Sequence, residues 1–272
     1  MKKNKIPKTI HYCWFGRGPK SELIQKCIKS WEKYLPDYEI KEWNEDNFDI
    51  NINNYVREAY ENKKYAFVSD FARLYAIYNE GGIYFDTDLE VIKNMDEFLE
   101  HNTFIGFEGN LSSFTAVFGS VKKSKWVKEN LNYYKGRNFV LEDGSFDTRT
   151  NTDIVNEINV NKYGVKLNNT YQEFEDFVIY PSEYFSPKDW ETGEIHTTKN
   201  TYSIHHFNGS WHDKYEKALV KKHQELVKKH GKEIGEKKYK NYYNIMQYYI
   251  KFRRVLDDPK KLKKLFKKKK TK

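Results

Sequence analysis

Apolar positions along the chain switch between a period of two and a period near 3.6, and the switches delimit its elements. Residues 8–15, Lys-Thr-Ile-His-Tyr-Cys-Trp-Phe, read as a buried strand that stops at the loop Gly16-Arg17-Gly18-Pro19. Ser21 then offers an N-cap, and Leu23, Cys27, Ile28 and Trp31 form an apolar stripe at helical spacing. Tyr38 to Trp43 alternates as a second strand. Strand, helix and strand at this spacing predict a βαβ unit and a parallel α/β sheet. From Ala66 to Asn79 the residues Phe67, Phe71, Leu74 and Tyr78 recur at spacings of four, three and four, which defines one helix face. Gly81-Gly82 ends that helix by adopting positive φ freely, and Ile83-Tyr84-Phe85 is a short apolar strand running into Asp86-Thr87-Asp88. Further strands are predicted at 103–107, 114–119, 177–180 and 201–206, with helices at 123–135 and 151–158.

The end of the chain has a different character. Residues 214–233 read as a charge-laced helix, and 237–256 place Tyr239, Tyr242, Tyr243, Met246, Tyr249 and Ile250 on one face. Asp257-Asp258-Pro259 breaks the pattern, and Lys260 to Lys272 is polylysine punctuated by Leu and Phe. Charge sharpens this division. The 272 residues carry a formal net charge of +9, but 214–272 hold 22 Lys+Arg against 6 Asp+Glu, a balance of +16. The preceding 213 residues hold 26 against 33, a balance of −7. A catalytic or binding domain over 1–213 and a basic amphipathic helical tail over 214–272 are therefore expected.

A basic surplus invites a nucleic-acid reading, yet no reader motif or base-stacking platform accompanies it. A basic helix with a Tyr, Ile and Met face suits an anionic membrane surface instead. The two cysteines, Cys13 and Cys27, lie in apolar or helical patterns with neither disulfide nor metal-ligand spacing, which suits a reducing cytosol. No apolar segment follows the basic start, and no run approaches the roughly 18 residues of a membrane span. A cytoplasmic protein is expected, peripheral at the inner face of the cytoplasmic membrane.

Candidate chemistry centres on Asp86-Thr87-Asp88. At strand spacing Asp86 and Asp88 would point the same way, and beyond the strand end both carboxylates could reach one divalent cation. The crevice beyond the strand carboxyl ends is where open α/β sheets bind ligands. Mg²⁺ or Mn²⁺ held by one or two carboxylates keeps positions free for substrate phosphates. Upstream, Asp70 and Arg73 share one helix face, opposite Phe67, Phe71 and Leu74. They read as a surface ion pair, or as an Arg ordered by Asp70 to clamp a phosphate or sugar hydroxyl.

These segments in order, Ile6-Pro-Lys-x-Ile-His11-x-x-Trp14, Lys26-Cys-Ile-x-Ser-Trp31 and Ser69-Asp70-x-x-Arg73 leading to Gly81-Gly-Ile-Tyr84-Phe-Asp86-x-Asp88, resemble glycosyltransferase family 32. That family includes fungal outer-chain mannosyltransferases and bacterial capsule and lipooligosaccharide transferases. A more distant resemblance is to the glucosylating domains of large clostridial toxins. The likeness is dense over residues 6–99 and thin from about 120 to 200, the region that should recognise acceptor; Phe85 stands where the family usually has Leu.

The resemblance implies a GT-A fold, a Rossmann-like α/β domain, here with a helical basic C-terminal extension. It also implies metal-dependent sugar transfer from a nucleotide-sugar donor (UDP- or GDP-sugar) to a glycan or lipid-linked acceptor, with retention of configuration. By position, Trp14 should stack on the nucleobase, Asp70 and Arg73 with Ser69 should contact donor sugar and phosphate, Tyr84 a ribose or phosphate oxygen, and Thr87 the substrate between the metal-binding aspartates. A late His-x-x-Gly segment completes the metal shell in similar transferases. His206-x-x-Gly209 fits it, which makes His206 the first choice of ligand and His205 the second, with Ser210 and Trp211 placed for the diphosphate. Asn151 or Asp153 is a candidate for contact with the sugar, and N-capping of the helix they open explains them equally well.

Two other classes compete. Asp86-Thr-Asp88 superficially copies the nucleophile motif of haloacid-dehalogenase-like phosphatases, but that motif opens the first strand and precedes a Gly-Thr turn, whereas Leu89-Glu90 follows here. A non-catalytic carbohydrate- or membrane-binding module is the other.

Overall fold

The computed structural model describes residues 4–109, 112–113, 116–209 and 213–257. They form two compact units, one of Met1–Asp189 with Ile195–Trp211, the other of Trp190–Glu194 with His212–Lys272.

The first unit is α/β. It begins with β1 (Thr9–Cys13), α1 (Glu22–Tyr34) and β2 (Glu39–Trp43), and β1 and β2 pair in parallel, as the βαβ spacing predicts. Ser21 caps α1 by accepting from the Ile24 amide. After α2 (Asn54–Glu61), α3 (Tyr65–Glu80) leads into β3 (Gly82–Phe85), parallel to β1 on its other side. Gly81 ends α3 at φ 72°, and Gly82 sits at φ 111°, where a Cβ would lie 2.5 Å from the Thr9 carbonyl oxygen. No other residue fits that joint. The chain continues through β4 (Leu89–Val91), a 3₁₀ turn at Asp96–Glu100, β5 (Thr103–Glu108), β6 (Ser112–Ser113), β7 (Val117–Ser120), α4 (Lys125–Asn132) and α5 (Asn151–Tyr163). Then come β8 (Gln172–Glu173), β9 (Val178–Tyr180), α6 (Ser182–Phe185) and β10 (Ser203–His205).

The main sheet runs β2-β1-β3-β7-β5-β9-β8, with β6 paired to β5, and β10 pairs with β4 in a separate ribbon. It is mixed rather than parallel. β7 lies antiparallel between β3 and β5, and β8 is antiparallel to β9. The segment between β5 and β7 is too short for a crossover helix, so β7 must return antiparallel. Two antiparallel steps leave β5 pointing the same way as β1 and β3, and the carboxyl ends of all three share one edge.

His11 joins three of these pieces. The fully buried ring accepts from Trp43 Nε1 on β2 through Nδ1 (2.9 Å), so Nε2 donates to the Gly81 carbonyl (2.8 Å). Burial lowers its pKa below the ordinary histidine value. His11→Leu would strand a buried donor and a buried acceptor, and we expect it to cost about 2–4 kcal/mol at pH 7.5, read from the denaturant midpoint. Because the folded-state pKa lies below the unfolded one, the neutral ring's contribution is intact above the unfolded value and is lost as pH falls through it. The stability gap between wild type and His11→Leu should therefore narrow from pH 7.5 to 5.5, and a constant gap would contradict this assignment.

In the second unit, α7 (Lys214–His230) is opened by a capping box of Asp213 and Glu216 and is followed at Gly231 by α8 (Lys232–Leu256). Among the described residues no helix is long and apolar enough to cross a membrane. The predicted break at Asp257-Asp258-Pro259 agrees with the end of α8, while 258–272 lie outside the described residues.

Candidate active site

The Asp-x-Asp segment is not strand. β3 stops at Phe85, the Asp86 amide donates to the Ala116 carbonyl (2.7 Å), and the Leu89 amide closes a turn onto the Asp86 carbonyl (3.0 Å). The two carboxylates converge through that turn and not through strand alternation. Thr87, at its tip, is half-buried.

β4 begins at Leu89 and pairs with β10, which sets His205 opposite Leu89. The chain after β10 therefore returns along Asp88. The His206 amide donates to the Asp88 carbonyl (3.1 Å) and the Asn208 amide to Asp88 Oδ2 (2.7 Å). His205 Nε2 lies 3.4 Å from Asp88 Oδ1, while its Nδ1 meets Glu108 Oε1 at 2.8 Å. Asp86, Asp88 and His205 each offer one ligand atom, all within 4.8 Å of one another. Two carboxylates and one imidazole, with Glu108 behind the imidazole, suit a hard divalent cation such as Mn²⁺ or Mg²⁺.

His206 does not join them. Its Nε2 pairs with Glu90 Oε2 (2.8 Å), which also takes Lys26 Nζ (2.8 Å). Of the two histidines the sequence offers, the structure brings the second choice, His205, to the aspartates and turns His206 away, because neighbouring residues at a strand end point to opposite sides.

α3 supplies the floor. Arg73 is buried, and its Nη2 reaches both Asp70 Oδ1 (3.0 Å) and Asp86 Oδ1 (3.2 Å). Its guanidinium lies 4.6 Å from the centroid of the Tyr84 ring. Of the two alternatives the surface pair is overturned, since both side chains are largely buried, while the Arg ordered by Asp70 agrees with the geometry: the polar face of α3 is turned inward against the end of β3. Tyr84, 2% exposed, donates to Asp86 Oδ1 (3.0 Å) and so holds Asp86. Ser69 is engaged within its helix, its hydroxyl donating to the Tyr65 carbonyl (3.1 Å) and its own carbonyl accepting from Arg73 Nε (3.3 Å). Asn151 Nδ2 donates to Asp70 Oδ1 (3.3 Å); the cap of α5 is Thr150, not Asn151. Trp14, half-buried where β1 ends, donates from Nε1 to the Gly18 carbonyl (2.7 Å). Ser210 and Trp211 lie outside the described residues.

The charges are strongly coupled. Burial pushes the Asp70 carboxyl up to about 6, with Arg73 drawing it down and Asp86 adding to the rise. Burial also raises Asp86, against Arg73 and with Asp88. Asp88 differs: burial alone would raise it, but the His205 charge and the hydrogen bonds from His205 and the Asn208 amide hold it well below the usual carboxylate range. Burial alone would lower His205, and Asp88 and Glu108 together raise it well above the ordinary value.

Glu108 and Lys188, whose Nζ donates to the His206 carbonyl (2.6 Å), were not singled out by the sequence. Glu108 carries one legible signal: it is a carboxylate that ends the buried apolar strand β5, much as Asp86 directly follows β3. A cleft of about 360 Å³ lined by Phe71, Tyr75, Leu131 and Tyr134 shares none of the acidic or histidine residues.

Residues 21–105 match a family model described as a glycosyltransferase sugar-binding region containing a DXD motif. No curated protein matches the chain at a significant level. Among solved structures, the PaToxG glycosyltransferase is 19% identical with a TM-score of 0.44, over 58% of this chain and 70% of that one. A glycosyltransferase involved in the glycosylation of the major capsid of PBCV-1 is 12% identical with a TM-score of 0.42, over 80% of this chain and 98% of that one. The α/β class expected from the sequence is observed, with the Asp-x-Asp turn directly beyond β3.

Proposed function

We propose, from the premise that residues 21–105 carry the glycosyltransferase sugar-binding region with its DXD motif, that this chain transfers a sugar from a UDP- or GDP-sugar to a hydroxyl of a glycan or lipid-linked acceptor. Retention of anomeric configuration and a place in surface polysaccharide synthesis belong to the same reading. The observation that carries it is the meeting of Asp86, Asp88 and His205 at the carboxyl edge of the sheet. Asp86, Asp88 and His205 would hold Mn²⁺ or Mg²⁺, which when bound supplies Lewis-acid neutralisation of the departing nucleoside diphosphate.

The chain's own residues do the rest. Glu108 fixes the ring of His205, leaving Nε2 to face Asp88. Tyr84 and Arg73 hold Asp86 from below, and Arg73 adds a fixed positive charge beneath the donor phosphates. Asp70, held by Arg73 and Asn151, accepts from donor sugar hydroxyls in this reading. Trp14 offers a flat ring to the base. The basic residues of 214–272 hold the domain of 1–213 at an anionic membrane surface on the cytoplasmic side, where lipid-linked acceptors lie.

The phosphatase alternative needs a free nucleophilic Asp86, whereas this carboxylate is bound by Arg73 and Tyr84. Donor turnover separates an enzyme from a binding module. Thermal shift across UDP- and GDP-sugars should single out one donor that raises the melting temperature with Mn²⁺ but not in EDTA. That donor should then be slowly hydrolysed. If no donor shifts the transition and none is hydrolysed with Mn²⁺, the reading falls.

A further inference from the structure

Helix α8 is apolar over a broad arc, and among the described residues only part of that arc is covered. Part of the face expected from the sequence turns toward α7. The Tyr239 ring centroid lies 4.7 Å from that of His223, Lys222 Nζ is 5.9 Å from the Tyr242 ring centroid, Gly235 packs against Val227 of α7, and Ile250 is buried. The adjoining arc carries Ile245, Tyr248, Phe252 and Leu256, together with Tyr249 from the edge of the expected face, and all five are exposed, Ile245 and Tyr248 to 74% and Phe252 to 61%. At about 3.6 residues per turn they fall within about 100° of arc; Ile234, exposed to 55%, lies on the same line upstream but is separated from them by the exposed Lys238 and Asn241. Five large apolar side chains on one arc facing water mark a surface that something covers.

The charge around the stripe selects the cover. Exposed Lys237 and Lys251 border it, and 214–272 carry 22 basic residues against 6 acidic ones, with Lys260 to Lys272 following directly in sequence. A second copy of the chain would set this surplus against its equal. A nucleic acid would neutralise the lysines but leave Ile245, Phe252 and Leu256 in water. An anionic lipid surface satisfies both, taking the apolar side chains between its headgroups and the lysines against its phosphates, with tyrosine rings at the boundary. We infer that α8 lies in the plane of an anionic bilayer surface with the Ile245, Tyr248, Phe252 and Leu256 face inserted. The inference rests on the proposed membrane attachment of 214–272 and adds the face that makes it.

The test uses the full-length protein and sedimentation with phosphatidylcholine vesicles carrying roughly one third phosphatidylglycerol. The double variant Ile245→Ser/Phe252→Ser should bind about tenfold or more weakly than wild type, with unchanged melting temperature and unchanged monomeric mass. As a second readout, Phe252→Trp should show fluorescence quenched by brominated acyl chains in those vesicles beyond the quenching of wild type. If wild type binds the vesicles and both variants behave as wild type does, the inserted face is wrong while membrane attachment stands. If wild type does not bind anionic vesicles, membrane attachment itself falls, and the inference with it. A dimer that dissociates on Ile245→Ser/Phe252→Ser, or RNA binding at an affinity equal to that for vesicles, would assign the surface to a second copy or to nucleic acid and overturn the inference.

Discussion

Asp88→Asn is expected to lower turnover of the cognate nucleotide-sugar by about 10²–10³-fold while leaving the fold intact. The amide keeps the size of the carboxylate and can still accept the Asn208 amide bond made by Oδ2. It loses the negative charge that faces His205 at 3.4 Å, a charge kept at any assay pH because this carboxyl sits well below the usual carboxylate range. The effect should divide by observable. Mn²⁺ affinity, followed by electron paramagnetic resonance without any donor, should weaken about tenfold or more, while the melting temperature without metal should change little. His206→Ala is the control, since His206 is committed to Glu90 and should leave Mn²⁺ affinity unchanged. Wild-type turnover in Asp88→Asn, or full activity in EDTA, would remove the basis of the proposed mechanism.

Which parts of this arrangement could be read from the sequence follows from how local their causes are. The helix from Tyr65 to Glu80, its glycine stop and the apolar strand into Asp86 depend on neighbours a few residues apart, and periodicity places them within a residue or two. The acidic pair is legible for the same reason. Its convergence is not, because it depends on a turn closed by the Leu89 amide and on a distant strand, β10, that pairs with β4. Choosing between His205 and His206 required the register of that pairing, which a His-x-x-Gly spacing does not contain. The inward turn of Asp70 and Arg73 was illegible for a similar reason. Charged residues opposite an apolar helix face read as solvated, and only β3 packed against α3 makes that side an interior. In α8 the error ran the other way: the periodicity named a face that turns only in part toward α7 and, apart from Tyr249, left the exposed residues unnoticed, since both sides are apolar.

Removing Arg73 should have the largest effect on stability. Its buried guanidinium is shared between Asp70 and Asp86, whose side chains are 13% and 25% exposed. Arg73→Met keeps much of the volume but leaves two carboxylates in poor contact with water, an uncompensated loss worth about 3–5 kcal/mol, or roughly 10 °C in a chain of this size. The cost should depend on pH. The Asp70 carboxyl already stands near 6 with Arg73 drawing it down, and Asp86 is raised as well. Without the guanidinium both rise further. A carboxyl whose folded-state pKa lies above its unfolded value favours the folded state in acid and loses that contribution as pH climbs through the folded value. The variant should therefore lie closer to wild type at pH 5.5 than at pH 8, measured by denaturant midpoints. Arg73→Lys should recover part of the stability, because it restores the charge but cannot reach both carboxylates with one planar fork. A gap below about 1 kcal/mol, or one that is the same at both pH values, would show that Asp70 and Asp86 do not share a buried cation, since only a surface pair is worth so little.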